Sequence, residues 1–377
     1  MSDHHYDGQY VTPPADLKRA WPVPARAAHG IAESRAAIRR ILDGTDDRLL
    51  VIIGPCSIHD PAAALDYAAR LSTLRQTLDP DLEIVMRAYF EKPRTRVGWK
   101  GLINDPHLDE SHDIEAGLRI ARTLLVAIAA HALPVATEFL GAIDQHYFAD
   151  CIAWGAIGAR TTESQLHREM ASGLPFPIGF KNGTDGNLGI AIDAIRAAQR
   201  PHHFLGVNDA GRVVVRRTHG NPGGHLVLRG GRVPNHDAQS VTAACALLAS
   251  HALTPRVVID VSHGNSGRVH ENQIPVCASL AARIAAGDTQ LAGVMIESNL
   301  VAGHQTVGGN RALVYGQSIT DACIGWDETT TLLEHLASAV RARRRATRMR
   351  DDAQSAAIAP APHTPHPTQA AHHADPR

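Results

Sequence analysis

The chain has 377 residues, 44% of them apolar and 20% charged, an ordinary composition for a globular protein. Its 37 basic and 38 acidic side chains nearly cancel, so no global field steers it to nucleic acid or to an anionic membrane. Five cysteines at long spacings without a CxxC, an amino terminus (MSDHHYDGQY) without the basic-then-apolar order of a secretory signal, and no apolar window near ~18 residues exclude a disulfide scaffold and a membrane span, and point to the cytoplasm.

Residues 1–30 are polar and interrupted by Pro13, Pro14, Pro22 and Pro24, and read as an extended arm. A helix follows, with Ile31, Ile38, Ile41 and Leu42 on one face and Gly44 as its stop; arm and helix form a unit over 1–47. From residue 49 apolar runs recur: LLVIIG (49–54), LEIVMRAYF (82–90), LPVATEF (133–139) and GAIGAR (155–160). They continue as PFPIGFK (175–181), HLVLRG (225–230), RVVIDVSH (256–263) and AGVMIESN (292–299). Unbroken runs of this kind suit strands covered on both faces. Stretches rich in Ala, Leu and Ile at 62–78, 117–133, 189–200 and 240–253 read as the helices between them. Eight such strands alternating with helices predict an α/β fold, a (β/α)8 TIM barrel over 48–346, rather than an open doubly wound sheet.

One segment breaks the alternation. HHFLGVNDAGRVVVRRTHG (202–220) places two short strands around Asn208-Asp209-Ala210-Gly211 and predicts an inserted β-hairpin over about 204–218, near strand six. The final helix carries Leu332, Leu333, Leu336 and Val340, opens with Asp327 and Glu328, and closes on RARRRATRMR, read as a solvated end whose arginines complement the helix dipole. Residues 347–377 read as a disordered tail of Ala, Pro and His.

In a barrel of this kind the site is built at the carboxyl ends of the strands. Strand one ends at Cys56; strand two carries Arg87 and runs into Lys92, Arg94 and Thr95. The next ends are Glu138, Arg160, Lys181, Arg229, His263 and Glu297. Six of these groups, Arg87, Lys92, Arg94, Arg160, Lys181 and Arg229, are cationic and would repel one another in one mouth unless anions occupied it. The set fits substrates carrying about three phosphate or carboxylate groups. Cys56, His263 and Glu297, with Asp321 from SITDACIGW, form a second set whose donors suit a divalent transition metal. Taken singly, Cys56 also fits a small core hydrophobe, His263 a capping or core histidine, and Asp321 a loop carboxylate.

The segments GPCSIHD, MRAYFEKPRTRVGWKGL, ATEFL, WGAIGARTTESQLHREMASGL, GFKNGTDGN, HLVLRGG, DVSHGNS, MIESN and YGQSITDACIGW resemble the class I 3-deoxy-D-arabino-heptulosonate 7-phosphate (DAHP) synthases, from about residue 48 to about 340. The resemblance implies a cytoplasmic transferase, 3-deoxy-7-phosphoheptulonate synthase, that condenses phosphoenolpyruvate with D-erythrose 4-phosphate at the entry of the shikimate pathway. It implies one divalent metal ion (Mn2+, Fe2+, Co2+ or Zn2+) on Cys56, His263, Glu297 and Asp321. It places phosphoenolpyruvate on Arg87, Glu138, Arg160, Lys181 and Arg229, and erythrose 4-phosphate on Lys92, Pro93, Arg94 and Thr95. Lys92 and His263 would be catalytic, with Lys92 a candidate for activating the water that adds at C2. An aromatic amino acid effector and a homodimer or homotetramer are implied, with the arm of 1–47 and the hairpin taking part in both. The carboxyl-terminal part looks most like the tryptophan-sensitive type, and the effector stays open. A 3-deoxy-D-manno-octulosonate 8-phosphate synthase-like enzyme and a non-catalytic barrel sensing aromatic amino acids are the alternatives.

Overall fold

The apolar runs become strands buried along their whole length, as a sheet covered on both faces requires. In the computed structural model, which describes residues 8–94, 98–308 and 312–358 and side chains as far as residue 350, the strands β1 (Leu49–Gly54), β2 (Leu82–Arg87), β3 (Val135–Glu138), β4 (Ile152–Ile157) and β5 (Ile178–Lys181) come first. The hairpin of β6 (His203–Val207) and β7 (Val213–Arg217) precedes β8 (Gly224–Leu228), β9 (Val257–Asp260) and β10 (Leu291–Glu297). Apart from the antiparallel hairpin, these strands pair in parallel and close into a barrel in the order β1-β10-β9-β8-β5-β4-β3-β2. The expected barrel and its insertion are both present. A short parallel pair, β11 (Val301–His304) and β12 (Gln317–Ser318), follows the last barrel strand.

The helices are α1 (Pro14–Ala20), α2 (Ala25–Asp43), α3 (Pro61–Leu78), α4 (Ile114–Ala130), α5 (Gln145–Phe148), α6 (Gln165–Ala171), α7 (Gly189–Ala198), α8 (Ala238–Ser250), α9 (Gln273–Ala285) and α10 (Trp326–Ile358). Helix α2 closes the amino-terminal end of the barrel. Its Ile38 and Ile41 are fully buried in one cluster with Leu50, Ile52, Val85, Trp154, Val258 and Met295 from the strands. Gly44 stops that helix in the left-handed conformation, as expected.

Four expectations need correction. The arm over 1–30 is not extended throughout, since α1 and the start of α2 lie within it. Its prolines begin helices rather than break them: Pro14 opens α1 and Pro24 is the N-cap residue of α2, where no intrahelical N–H is lost. Strand β4 starts at Ile152, ahead of the Gly155 start read from the sequence, because Trp154 packs inside the barrel. The tail does not begin at 347, for α10 continues to Ile358 through an alanine-rich stretch of good helix propensity, and residues 359–377 lie outside the described ones. Nor is the arginine run wholly solvated. Arg344 pairs with Asp47 at 2.6 Å and Asp81 at 2.7 Å, and Arg341 also binds Asp81. Among the described residues, no helix is long and apolar enough to cross a membrane.

Candidate active site and metal centre

Strand β1 must leave the barrel sharply to present its thiol. Gly54 makes the exit with φ 152°, where a Cβ would stand 2.9 Å from the Arg87 carbonyl oxygen. The chain then delivers Cys56 fully buried at the mouth. Its sulfur, a carboxylate oxygen of Glu297 and one of Asp321 all lie within 4.8 Å of one another. Lys92 Nζ is 3.0 Å from that sulfur, and Asp321 Oδ2 is 3.4 Å from it.

His263 stands one contact outside this trio, with Nε2 3.9 Å from Glu297 Oε1. Its other nitrogen is committed: Nδ1 lies 2.9 Å from Asp260 Oδ2 and 2.6 Å from Ser262 Oγ. A histidine held this way presents Nε2 as a metal donor. The residue adopts φ 53°, and Arg268 N donates to its carbonyl at 2.8 Å, closing the turn. Glu297 is fixed from behind by Gln273, whose side chain donates to the Glu297 carbonyl (3.0 Å) and accepts from its N–H (2.9 Å).

The donor chemistry fits a divalent transition ion. Burial pushes the Cys56 thiol up to about 12, Glu297 adds to the rise, and Lys92 opposes it. A thiol and two carboxylates packed this closely favour a shared cation, since each would bind it in the charged form.

The cations gather around this cluster. Arg87 is fully buried and its Nη2 donates to Glu297 Oε1 at 3.1 Å. Lys181, also buried, lies 2.7 Å from Asp260 Oδ2, so one carboxylate braces both Lys181 and His263. Asp260 is held well below the usual carboxylate range; His263 and Lys181 outweigh its burial, the largest effect and the one opposing them. Arg160 and Arg229 line a cavity of about 250 Å3 together with His263, Glu297 and Asp321. Glu138 ends β3 with its carboxylate against Gly158. Arg160 donates to the Pro93 carbonyl, Arg94 donates to the Trp99 carbonyl at 2.7 Å, and Thr95 lies outside the described residues. The structure therefore brings Cys56, Arg87, Lys92, Lys181, His263, Glu297 and Asp321 into one connected network, with Arg160 and Arg229 in the same mouth. Arg94 faces its own loop.

Sequence reasoning missed several residues here. Asp260, Gln273, Arg268 and His304 brace or line the mouth; Asp260 closes β9 and His304 closes β11, positions a strand-end reading could have caught, whereas Gln273 and Arg268 carry no such mark.

Glu91, next to Lys92, stands in the field of the Asp144 carboxylate. Burial, then Asp144, pushes its carboxyl up from 4.5 to about 9. Between those values the folded protein holds a proton that the unfolded chain releases, so this group's contribution to stability is lost as pH rises through the window. Thermal midpoints across that range should fall more steeply for the wild type than for Glu91→Gln. Equal slopes would count against the pair.

The comparisons with known proteins agree with this geometry. Residues 23–334 match the model of the DAHP synthetase I family. The chain is 55% identical over 334 residues to the Phe-sensitive phospho-2-dehydro-3-deoxyheptonate aldolase of Escherichia coli strain K12, covering 89% of this chain and 95% of that protein. It is 54% identical over 336 residues to the Trp-sensitive enzyme of Enterobacter agglomerans, covering 89% and 96%. The solved structure of the Francisella tularensis SCHU S4 aldolase of that name superposes with a TM-score of 0.88 at 47% identity, over 90% of this chain and 99% of that one. A likeness running from ahead of α2 into α10, through every strand that carries the mouth, shows that the chain belongs to the DAHP synthetase I family.

Proposed function

We propose that the chain condenses phosphoenolpyruvate with D-erythrose 4-phosphate and water, giving DAHP and phosphate. The observation that carries this is the trio of Cys56, Glu297 and Asp321 within 4.8 Å, set among cations at the barrel mouth. Cys56, His263, Glu297 and Asp321 would hold the divalent ion, Mn2+, Fe2+, Co2+ or Zn2+. When bound, it supplies Lewis-acid polarisation of the aldehyde carbonyl.

The chain's own residues do the remainder. Arg160 and Arg229, with Lys181, take the phosphoenolpyruvate phosphate, while Arg87 and Lys181 take its carboxylate and Glu138 lies beside the phosphate. Lys92, Pro93, Arg94 and Thr95 take the erythrose 4-phosphate end. C3 of phosphoenolpyruvate attacks the aldehyde carbon, water adds at C2, and phosphate leaves. Lys92, with Nζ 3.0 Å from Cys56 Sγ, is the proton-carrying side chain nearest the donor cluster.

An aromatic amino acid effector is proposed as well. An apolar cavity of about 260 Å3 between the hairpin and α6, lined by Ile143, Leu166, Met170, Phe204 and Val213 with Arg216 at hand, suits one aromatic side chain and its carboxylate. The hairpin also argues for self-association, since Leu205, Val213 and Val215 are more than 60% exposed.

The test is loss of phosphoenolpyruvate in the presence of erythrose 4-phosphate, with and without EDTA. Turnover that survives the chelator removes the metal from the scheme. Preference for arabinose 5-phosphate transfers the chain to the octulosonate chemistry, and binding of aromatic amino acids without any turnover makes it a sensor.

A further inference from the structure

Two buried hydrogen-bond donors beside the mouth end on nothing among the described residues. Arg87 is 0% exposed and Tyr89 1%, yet Arg87 Nη1 and the Tyr89 hydroxyl have no partner there. The two are neighbours, with the guanidinium carbon of Arg87 4.0 Å from the centroid of the Tyr89 ring. Extended backbone explains it: side chains two residues apart share a face, so both point inward. The guanidinium is otherwise engaged, through Nη2 on Glu297 and Nε on the Pro55 carbonyl, and only Nη1 is left over.

Leaving a buried donor unpaired destabilises a fold, so native proteins rarely do it without a functional reason. Two such donors stacked together at a substrate mouth call for a ligand that offers acceptors to both. A carboxylate does so, having two oxygens with about four lone pairs. Burial, with Glu138 adding to it, pushes the Tyr89 hydroxyl well above its ordinary ionisation, against the pull of Arg87, so it remains a donor at neutral pH.

We infer that Tyr89 is a substrate-binding residue whose hydroxyl donates to the same carboxylate to which Arg87 Nη1 donates. The ring steadies the guanidinium, and the pair recognises the acid group of the enol phosphate while Arg160 and Arg229 take its phosphate. This rests on the reading of Arg87 proposed above.

The test titrates phosphoenolpyruvate and vinyl phosphate, which is the same enol phosphate without its carboxylate, into wild type, Tyr89→Phe and Arg87→Ala, each loaded with Mn2+. Tyr89→Phe should weaken phosphoenolpyruvate by about tenfold or more and leave vinyl phosphate unchanged. Its thermal midpoint should stay level or rise, because the hydroxyl removed has no partner in the fold. Unchanged phosphoenolpyruvate affinity in Tyr89→Phe, or equal weakening of both ligands, overturns the inference. Arg87→Ala separates the two layers: if it binds phosphoenolpyruvate normally, the reading of Arg87 falls and this one with it. If it loses that affinity while Tyr89→Phe does not, Tyr89 alone is wrongly assigned.

Discussion

Cys56→Ala is expected to cut turnover by roughly a thousandfold or more while the barrel stays folded. The sulfur is one of three donors within 4.8 Å at the mouth, and it is the only soft one among them. Its removal leaves two carboxylates and His263, a harder and weaker set for a transition ion. The fold should hardly notice, because the hydrogen bonds of that sulfur come from Lys92 and go to Asp321, both groups of the mouth rather than of the core. The decisive readout is metal content per chain, which should drop in step with activity. Cys56→Ser sharpens the test. A hydroxyl keeps the size of the group but is a poor ligand, so a serine variant with full activity and full metal would return Cys56 to a packing role.

The second large effect is on Lys181. Its ammonium is buried and lies 2.7 Å from Asp260, which is itself 0% exposed and also braces His263. Removing one member of a buried pair strands the other charge, at a cost of about 3–5 kcal/mol in stability. In the proposed function the same ammonium takes the substrate anions, so Lys181→Ala should lose about 2–5 kcal/mol of phosphoenolpyruvate binding as well. These losses can be told apart. Lys181→Met combined with Asp260→Asn removes the stranded charge and should recover much of the stability in urea melts, without recovering affinity. A Lys181→Ala protein with wild-type melting and wild-type phosphoenolpyruvate affinity would sink both halves of the argument.

Much of the fold was legible because its signals are local. The run Leu49–Ile53 has five adjacent apolar residues, and only a strand covered on both faces accommodates them. The turn Asn208–Gly211 between two β-rich stretches specified the hairpin in the same way. Misreadings arose where a local signal has two meanings. Proline breaks a helix interior but starts a helix equally well, so α1 and the opening of α2 were taken for an arm. Helices α6 and α9 were not singled out: α6 has only 7 residues, and α9, although 13 residues long, carries Pro275 in its first turn and was passed over.

Sequence alone determined which chemical groups stand at the strand ends, because in a parallel barrel every strand points its carboxyl end to the same rim. It could not determine which of those groups touch. Asp260 meets Lys181 from 79 positions away and Gln273 meets Glu297 from 24, and such encounters exist only once the sheet has closed with a given register. Closure likewise decided that three donors converge while His263 stands one contact off, and that Arg87 and Tyr89 stack with a donor each to spare. Periodicity travels a few residues along a chain, whereas a distance across a barrel mouth depends on every strand in the ring.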